Sequence, residues 1–370
     1  MDADSFIKQI VMICIGLLLI YLAIKKKYEP ALLLPMGFGA ILVNIPNSLV
    51  VNQTLNGMGE SQGIIQWMYE VGIKTSEAMP ILLFIGIGAM IDFSPLIERP
   101  KMFLIGIGGQ LGVVIAIALS CLVGFDIKDA LSIGIIGAAD GPTAIMVSQI
   151  VKSKYIGPIA VASYSYMAIV PLILPIAIRL MTSEKNRKMI MNNNGSSVSK
   201  RKRTVFPIAT TLIVGFLVPS SLPLIGFLMF GNLIKESGVL ESLTETARSV
   251  LTNLITLLLG LTISFSMQAE QFLKIDTLLI MAIGLIAFFM DAIGGVLMAK
   301  LLNVFSTNKI NPIVGSAGIS AFPMAARTVQ EMGRKENPMN VLLPYALGAN
   351  ASGQIVSAIV GGLIIRFISG

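Results

Sequence analysis

Gly137-Ala138-Ala139-Asp140-Gly141-Pro142-Thr143-Ala144 sets one carboxylate among helix breakers, inside the apolar run 129–151. Ile133, Ile135, Ile136, Ile145, Met146 and Val147 around the break suit hydrocarbon. At membrane depth, carbonyls freed by Gly and Pro survive only inside protein or against a water-filled cavity. An acid in that setting is a functional residue by default. Asp140, the Thr143 hydroxyl and unwound carbonyls are oxygen ligands for a hard cation, so Na⁺ or H⁺ is the expected occupant. The plain alternative is a protonated or paired acid that holds helices together. No basic residue close in sequence offers that pairing.

A second broken segment runs from Asn311-Pro312 through Gly315, Gly318 and Ser320 to Pro323. Its small residues permit close packing of membrane helices, whereas Asn311 and Ser320 add oxygen ligands that packing does not need. Four residues past Pro323 stands Arg327. It reads either as an anchor snorkelling to the interface or as a bidentate clamp on a carboxylate. Two polar clusters, Ser163-Tyr164-Ser165-Tyr166 and Asn350-Ala351-Ser352-Gly353, fall mid-span in apolar helices. A phenol beside a carboxylate site can relay a proton. Asp291, ahead of Gly294-Gly295, is a further acid whose role stays open. Asp92 reads as a solvated charge near a helix end, and Trp67 as an interface anchor.

The elements that position these residues are membrane helices. The chain is 55% hydrophobic and 13% charged, against roughly 25% charged in soluble domains, and its mean hydropathy is +0.83. Several windows reach the roughly 20 apolar residues a crossing needs. The first, Phe6 to Ile24, lacks a basic start and a small-residue cleavage site, so it reads as a retained helix, not a signal peptide. The net charge of +7 belongs to loops held in the cytoplasm, and no nucleic-acid partner is indicated. Cys14 and Cys121 lie in separate apolar helices without disulfide or metal spacing. With no histidine in the chain, proton handling near neutral pH falls to carboxylates, Tyr, Lys or water.

Residues 183–204 divide the chain. Three consecutive Asn and Lys200-Arg201-Lys202-Arg203 make this a polar stretch that reads as a solvated cytoplasmic linker between a first repeat, 1–182, and a second, 205–370. Each half predicts an apolar helix (6–24 and 205–219), a shorter one (30–46 and 222–234) and an amphipathic stretch (60–75 and 236–250). A Gly-rich helix follows (Gly86–Phe93 against Gly260–Met267), then a long helix (101–122 and 275–300), a broken segment and a closing helix (156–181 and 340–366). Lys25-Lys26-Lys27 put the N-terminus outside. With each broken segment a re-entrant hairpin, the halves have five crossings each and opposite orientations. The expected fold is therefore an all-α polytopic membrane protein of about 10 transmembrane helices in two inverted-topology repeats. Lys128, Lys152 and Lys154 end up outside, against the trend.

These residues resemble the β subunits of biotin-dependent, sodium-pumping decarboxylases, a family serving complexes that act on oxaloacetate, methylmalonyl-CoA, glutaconyl-CoA or malonate. The resemblance rests on Asp140-Gly141-Pro142-Thr143, on Asn311, Gly315, Ser320 and Arg327 at matching spacings, and on Tyr166 and Asn350; it spans essentially the whole chain. It implies decarboxylation of carboxybiotin presented from the cytoplasm, coupled to Na⁺ export, with the consumed proton drawn from outside. Carried over, Asp140, Ser320 and Asn350 would bind Na⁺, with Thr143 and Ser352 as further oxygens and Asn311 and Gly315 shaping the site. Tyr166 would deliver the proton and Arg327 would hold the carboxybiotin carboxylate. No Lys between two Met residues is present to carry biotin, so that cofactor must come from a partner. The implied partners are a biotin carrier, a carboxyltransferase α subunit and a small membrane anchor, with a homo-oligomer expected in a bacterial cytoplasmic (inner) membrane. Inverted repeats and a midplane acid alone suit a stand-alone Na⁺-coupled transporter or Na⁺/H⁺ antiporter equally well. Arg327 and the family spacing favour the decarboxylase. A purely structural membrane subunit leaves a buried Asp140 unexplained.

Overall fold

A computed structural model of the chain describes residues 3–55, 59–191 and 198–369. Part of the linker, including the consecutive Asn residues at 192–194, lies outside the described residues. The described chain is helical apart from one antiparallel strand pair, Asn52–Leu55 with Gly59–Gln62. The amphipathic stretch predicted over 60–75 therefore starts as strand and becomes helix only at Ile64. Gly63 marks the change: its amide donates to the Val51 carbonyl, and a Cβ there would collide with the Val50 backbone at 2.3 Å.

Among the described residues, five helices are long and apolar enough to cross a membrane: Ala3–Lys26, Met102–Val123, Glu241–Met267, Ile275–Phe305 and Leu343–Ile368. Two bent pairs, Ile64–Thr75 with Ala78–Met90 (72°) and Ile156–Ala168 with Val170–Met181 (71°), bring the number to seven if each is one span. Pro30–Asn44 is apolar but shorter. The second bend has a local cause. Pro171 has no N–H to donate and its ring excludes the carbonyl one turn back, so the helix cannot run straight through Ile169. The counterpart closing helix, Leu343–Ser369, has no proline past its first turn and runs unbroken.

The two halves pack reciprocally. Pro30–Asn44 lies against Ala3–Tyr21 and Thr252–Ile263, and Leu222–Ser237 lies against Lys200–Leu217 and Ala78–Met90. Likewise Leu343–Ser369 packs on Met102–Gly108, as Ile156–Ala168 and Val170–Met181 pack on Ile275–Phe305. Glycine makes these approaches close. A Cβ on Gly88 would sit 1.9 Å from the Leu228 carbonyl oxygen, and one on Gly231 1.9 Å from that of Ile85. Small residues substitute here for the hydrophobic drive that lipid does not supply.

Both broken segments are tied at their ends. The first hairpin comprises Ile127–Gly134, a tight turn Ile135–Ala138 and Gly141–Ile150. Buried Asp129 at its start accepts from the Ser153 hydroxyl (2.7 Å) and the Lys154 amide (3.0 Å) just past its end. The second hairpin comprises Pro312–Gly318 and Met324–Glu336. Its two ends meet at Arg187, whose carbonyl accepts from Asn311 Nδ2 (3.1 Å) and Asn340 Nδ2 (3.3 Å). The Arg187 guanidinium also pairs with Glu336 at 2.8 Å. This end of the linker is thus packed into the fold, with Met191 buried beside it.

Candidate functional site

Sequence chemistry forces the helix to restart at Asp140. Ala139 takes a left-handed conformation (φ 51°) and ends the tight turn. Asp140 is extended and caps Gly141–Ile150, with Pro142 in the first turn where no N–H is needed. The cap leaves its carboxylate facing inward, only 2% exposed. Oδ1 accepts weakly from the Thr143 amide at 3.5 Å, and Oδ2 accepts from the Thr143 hydroxyl at 2.7 Å. Two further donors reach Oδ2 from the closing helix: Gln354 Nε2 at 3.1 Å and the Ser357 hydroxyl at 3.0 Å.

The tip of the second hairpin meets the first directly. The Ser320 amide donates to the Ala138 carbonyl at 3.1 Å, two residues before Asp140. The Ser320 hydroxyl donates to the Gly353 carbonyl (3.1 Å), and Asn350 Nδ2 donates to the Ile319 carbonyl (2.6 Å). Asn350 is fully buried, yet its Oδ1 has no partner among the described residues. A buried acceptor left open in this way costs free energy unless a cation or water completes it. Asn350, Gln354 and Ser357 recur at helical spacing, so one stripe of the closing helix serves both hairpin tips.

The remaining predicted residues are distributed elsewhere. Ser352 points off that stripe: its hydroxyl donates to the Phe103 carbonyl (3.0 Å) and accepts from the Gly106 amide (3.1 Å), joining two helices. Gly315 packs on the long helix, where a Cβ would lie 2.2 Å from the Gly295 carbonyl oxygen. Asn311 stands at the base of the second hairpin, bonded to the linker carbonyls of Arg187 and Met189. Tyr166 donates to the Met281 carbonyl and stacks on Phe288. Tyr164 lies against the Asp140 turn instead, its ring so close to Gly141 that a Cβ there would be 2.3 Å away. Asp92 is exposed and accepts from the Ser94 amide at 2.9 Å, and Trp67 is half exposed.

Arg327 opens the helix Met324–Glu336 and is exposed, with no carboxylate within ion-pair distance among the described residues. It acts electrostatically on Glu29, in the loop ahead of Pro30–Asn44. Burial pushes the Glu29 carboxyl up from its ordinary value, and Arg327 pulls it back down. An exposed guanidinium with spare donors fits a carboxylate delivered from outside the chain.

Sequence reasoning missed Gln354 and Ser357. Their signal is that of polar residues four and seven positions beyond Asn350 in an apolar helix, masked by the neighbouring Ser352, which belongs to a different face. Replacing Gln354 by Leu or Ser357 by Ala removes a polar group held at the carboxylate and an oxygen available to a cation there, a loss of about 2 kcal/mol. Each variant is expected to bind Na⁺ roughly thirtyfold more weakly, read by equilibrium ²²Na⁺ binding. Unchanged affinity in both would detach the closing helix from the site.

Residues 8–368 match the family described as Na⁺-transporting oxaloacetate decarboxylase beta subunit. The chain belongs to this family. Among curated relatives, the oxaloacetate decarboxylase beta chain 2 of Salmonella typhi is 41% identical, covering 97% of this chain and 95% of its own. The glutaconyl-CoA decarboxylase subunit beta of Acidaminococcus fermentans is 43% identical, over 97% and 93%. The methylmalonyl-CoA decarboxylase subunit beta of Veillonella parvula is 42% identical, with the same coverage. This multi-pass membrane protein is thus a β subunit of the Na⁺-transporting decarboxylase type, and a stand-alone carrier is not supported. The named relatives act on different acids, so membership in the family does not select one.

Proposed function

We propose that this chain exports Na⁺ from Asp140 while decarboxylating carboxybiotin that a partner subunit presents near Arg327. The observation that carries the reading is the Asp140 carboxylate, held by Thr143, Gln354 and Ser357, with the Asn350 oxygen, unpartnered among the described residues, one helical turn before Gln354. Na⁺ is the cargo here. Its ligands are Asp140, Thr143, Ser320 and Asn350, with Gln354 Oε1 and the Ser357 oxygen as additions. Asn311, Gly315 and Ser352 act by holding the second hairpin and closing helix in register. Carboxybiotin supplies the carboxyl group whose release as CO₂ drives export; the chain's part is to hold it by Arg327. Na⁺ and H⁺ compete for one carboxylate, so proton arrival releases Na⁺ and proton consumption resets the site. Tyr166, committed to the Met281 carbonyl, serves the proton through the long helix.

The fold is read as two inverted repeats with about ten crossings, each repeat with a re-entrant hairpin. The reciprocal packing of the halves and the tied ends of both hairpins support this. The N-terminus is then outside and the linker in the cytoplasm of a bacterial inner membrane. A biotin carrier, a carboxyltransferase and a small membrane anchor complete the complex, with further copies of this chain. The first hairpin opens outward and the second inward, the alternating-access arrangement of secondary transporters.

Orientation is tested by single cysteines in a background with Cys14 and Cys121 replaced by Ser. Exposed Lys152→Cys at the end of the first hairpin is expected to react with an impermeant maleimide from outside. Exposed Lys335→Cys near the end of the second is expected to react only from the cytoplasmic side. Labelling of both from one side would overturn the inverted arrangement.

A further inference from the structure

Asp291 is a second carboxyl in the membrane core, and neither the Na⁺ site nor the helix packing uses it fully. It is fully buried midway along the 31-residue helix Ile275–Phe305. Across from it, the helix that starts at Met102 breaks at Gly109-Gln110 and restarts at Leu111. That restart leaves amide groups without helical partners, and Asp291 Oδ1 takes the Gly112 amide, with the Val113 amide also against the carboxyl. Oδ2 has no partner among the described residues. It is aimed at the turn of the first hairpin, where a Cβ added to Gly137 would lie 2.8 Å away. Gln110, at the break itself, is 7% exposed, and neither atom of its amide has a partner among the described residues. Two unsatisfied polar groups thus mark the elements that border the Asp140 turn.

The occupant of Oδ2 is a proton or a metal cation. No group of three or more acidic, Cys or His side chains stands together among the described residues. Gly112 and Gly137, which abut the carboxyl, bring Ala287 and the Val113 amide beside it, so a cation there would find one charged ligand. Nor does a cationic side chain reach it. The elements packed on this helix include Ile135–Ala138, Met102–Gly108 and Pro312–Gly318, which bear no titratable side chain. Leu111–Val123 brings only Cys121, at its far end. Tyr164 lies against Gly141 and Tyr166 on the Met281 carbonyl. Asp129 is bonded to Ser153, while Lys128 and Arg179 stand at element ends. A bare carboxylate there would be an uncompensated buried charge, whereas a carboxylic acid satisfies Oδ2 by carrying its own proton.

We infer that Asp291 is a proton-holding carboxyl that feeds the Asp140 site through the Gly137 turn. This rests on the decarboxylase reading for the fate of the proton. In one turnover the Oδ2–H bond breaks and its electron pair stays on the carboxyl. At the reacting end the N–C bond of the carboxylated ureido ring breaks, CO₂ leaves, and the ring nitrogen keeps the electron pair and gains a proton. Asp291 is then reprotonated from outside, so one external proton is consumed for each CO₂ released. It is a positioning and proton-supplying residue, distinct from the Na⁺ ligands.

Two experiments test it. Infrared difference spectra of the purified subunit, wild type against Asp291→Asn, are expected to lose the carbonyl stretch of a protonated carboxylic acid. Asp291→Glu is expected to retain that stretch at a shifted frequency. A wild-type spectrum unaltered by either substitution overturns the proposal, and this readout does not require any decarboxylase activity. In the reconstituted complex, Asp291→Asn is expected to slow Na⁺-coupled decarboxylation on the order of a hundredfold, the scale of a lost proton-transfer group. It is also expected to abolish proton uptake from the compartment facing the outer side, while ²²Na⁺ binding affinity stays at the wild-type value and Asp291→Glu restores proton uptake. A wild-type pH profile and proton uptake in Asp291→Asn, or a parallel loss of Na⁺ affinity, overturns it.

Discussion

Asp140→Asn is expected to abolish Na⁺ transport and Na⁺-dependent decarboxylation together. The substitution keeps shape and removes charge, so the Thr143, Gln354 and Ser357 contacts lose an ionised acceptor while the hairpin keeps its backbone. A unit charge about 4 Å from a monovalent cation is worth about 4 kcal/mol at an effective dielectric of about 20, which is roughly a thousandfold in affinity. Asparagine also cannot take up the proton that would release Na⁺, so the exchange step itself disappears. The measurement is ²²Na⁺ uptake with CO₂ release in proteoliposomes holding the whole complex. Coupled turnover preserved in this variant would sink the assignment of Asp140.

Arg327→Ala is expected to raise the KM for the carboxylated carrier with little change in Na⁺ affinity. Truncating one partner of a charge pair costs about 3 kcal/mol, or roughly a hundredfold. Equal losses of both would make Arg327 architectural. The variant has a second consequence through Glu29. Burial already raises that carboxyl above its ordinary value, and Arg327 opposes the rise. Without the guanidinium, the folded-state value climbs further above the unfolded one. A raised folded-state value means stability is fully present below the ordinary carboxylate range and is lost as pH rises through the folded-state value. Arg327→Ala should therefore melt progressively earlier than wild type as pH increases past that range, and adding Glu29→Gln should remove the pH-dependent part. If the double variant keeps the same pH-dependent deficit, Glu29 is not its source.

Both cases show how far sequence reasoning reaches at a site of this kind. Asp140 was legible because its cost in hydrocarbon and its neighbouring breakers are local properties. The cap it forms and the restart of the helix at Gly141 follow from Pro142 and Thr143 alone. Ser320 and Asn350 were legible as polar groups in apolar surroundings. Gln354 and Ser357 belonged to the same face as Asn350, but reading them required a choice of face that adjacent Ser352 obscured. Tyr164 and Tyr166, two positions apart on one helix, point to different neighbours, and only packing distinguishes them.

The fold divides similarly. Apolar windows announce a polytopic membrane protein, and the basic linker and the second broken segment lead to the reading of two related halves. The bend at Ile169 could be read from Pro171, since proline acts through its own ring and missing amide. The break at Gly109-Gln110 could not, because what faces it is distant in the chain: Asp291 takes the Gly112 amide from 179 positions away, and the Gly318 carbonyl oxygen would lie 2.3 Å from a Cβ on Gly109.

By itself the sequence determined which groups are too costly to bury idly: one acid at a helix break, a facing hairpin of small residues, and a guanidinium beyond it. Those are properties of single residues and their immediate spacing. Tertiary structure alone decided which donors share the Asp140 carboxylate, because Gln354 and Ser357 arrive from 214 and 217 positions away. It also decided that Asp291 keeps one oxygen unpartnered against Gly137. Long-range partners are set by which helix faces meet, and in a membrane, where apolar surface is everywhere alike, small residues and buried polar atoms choose those faces.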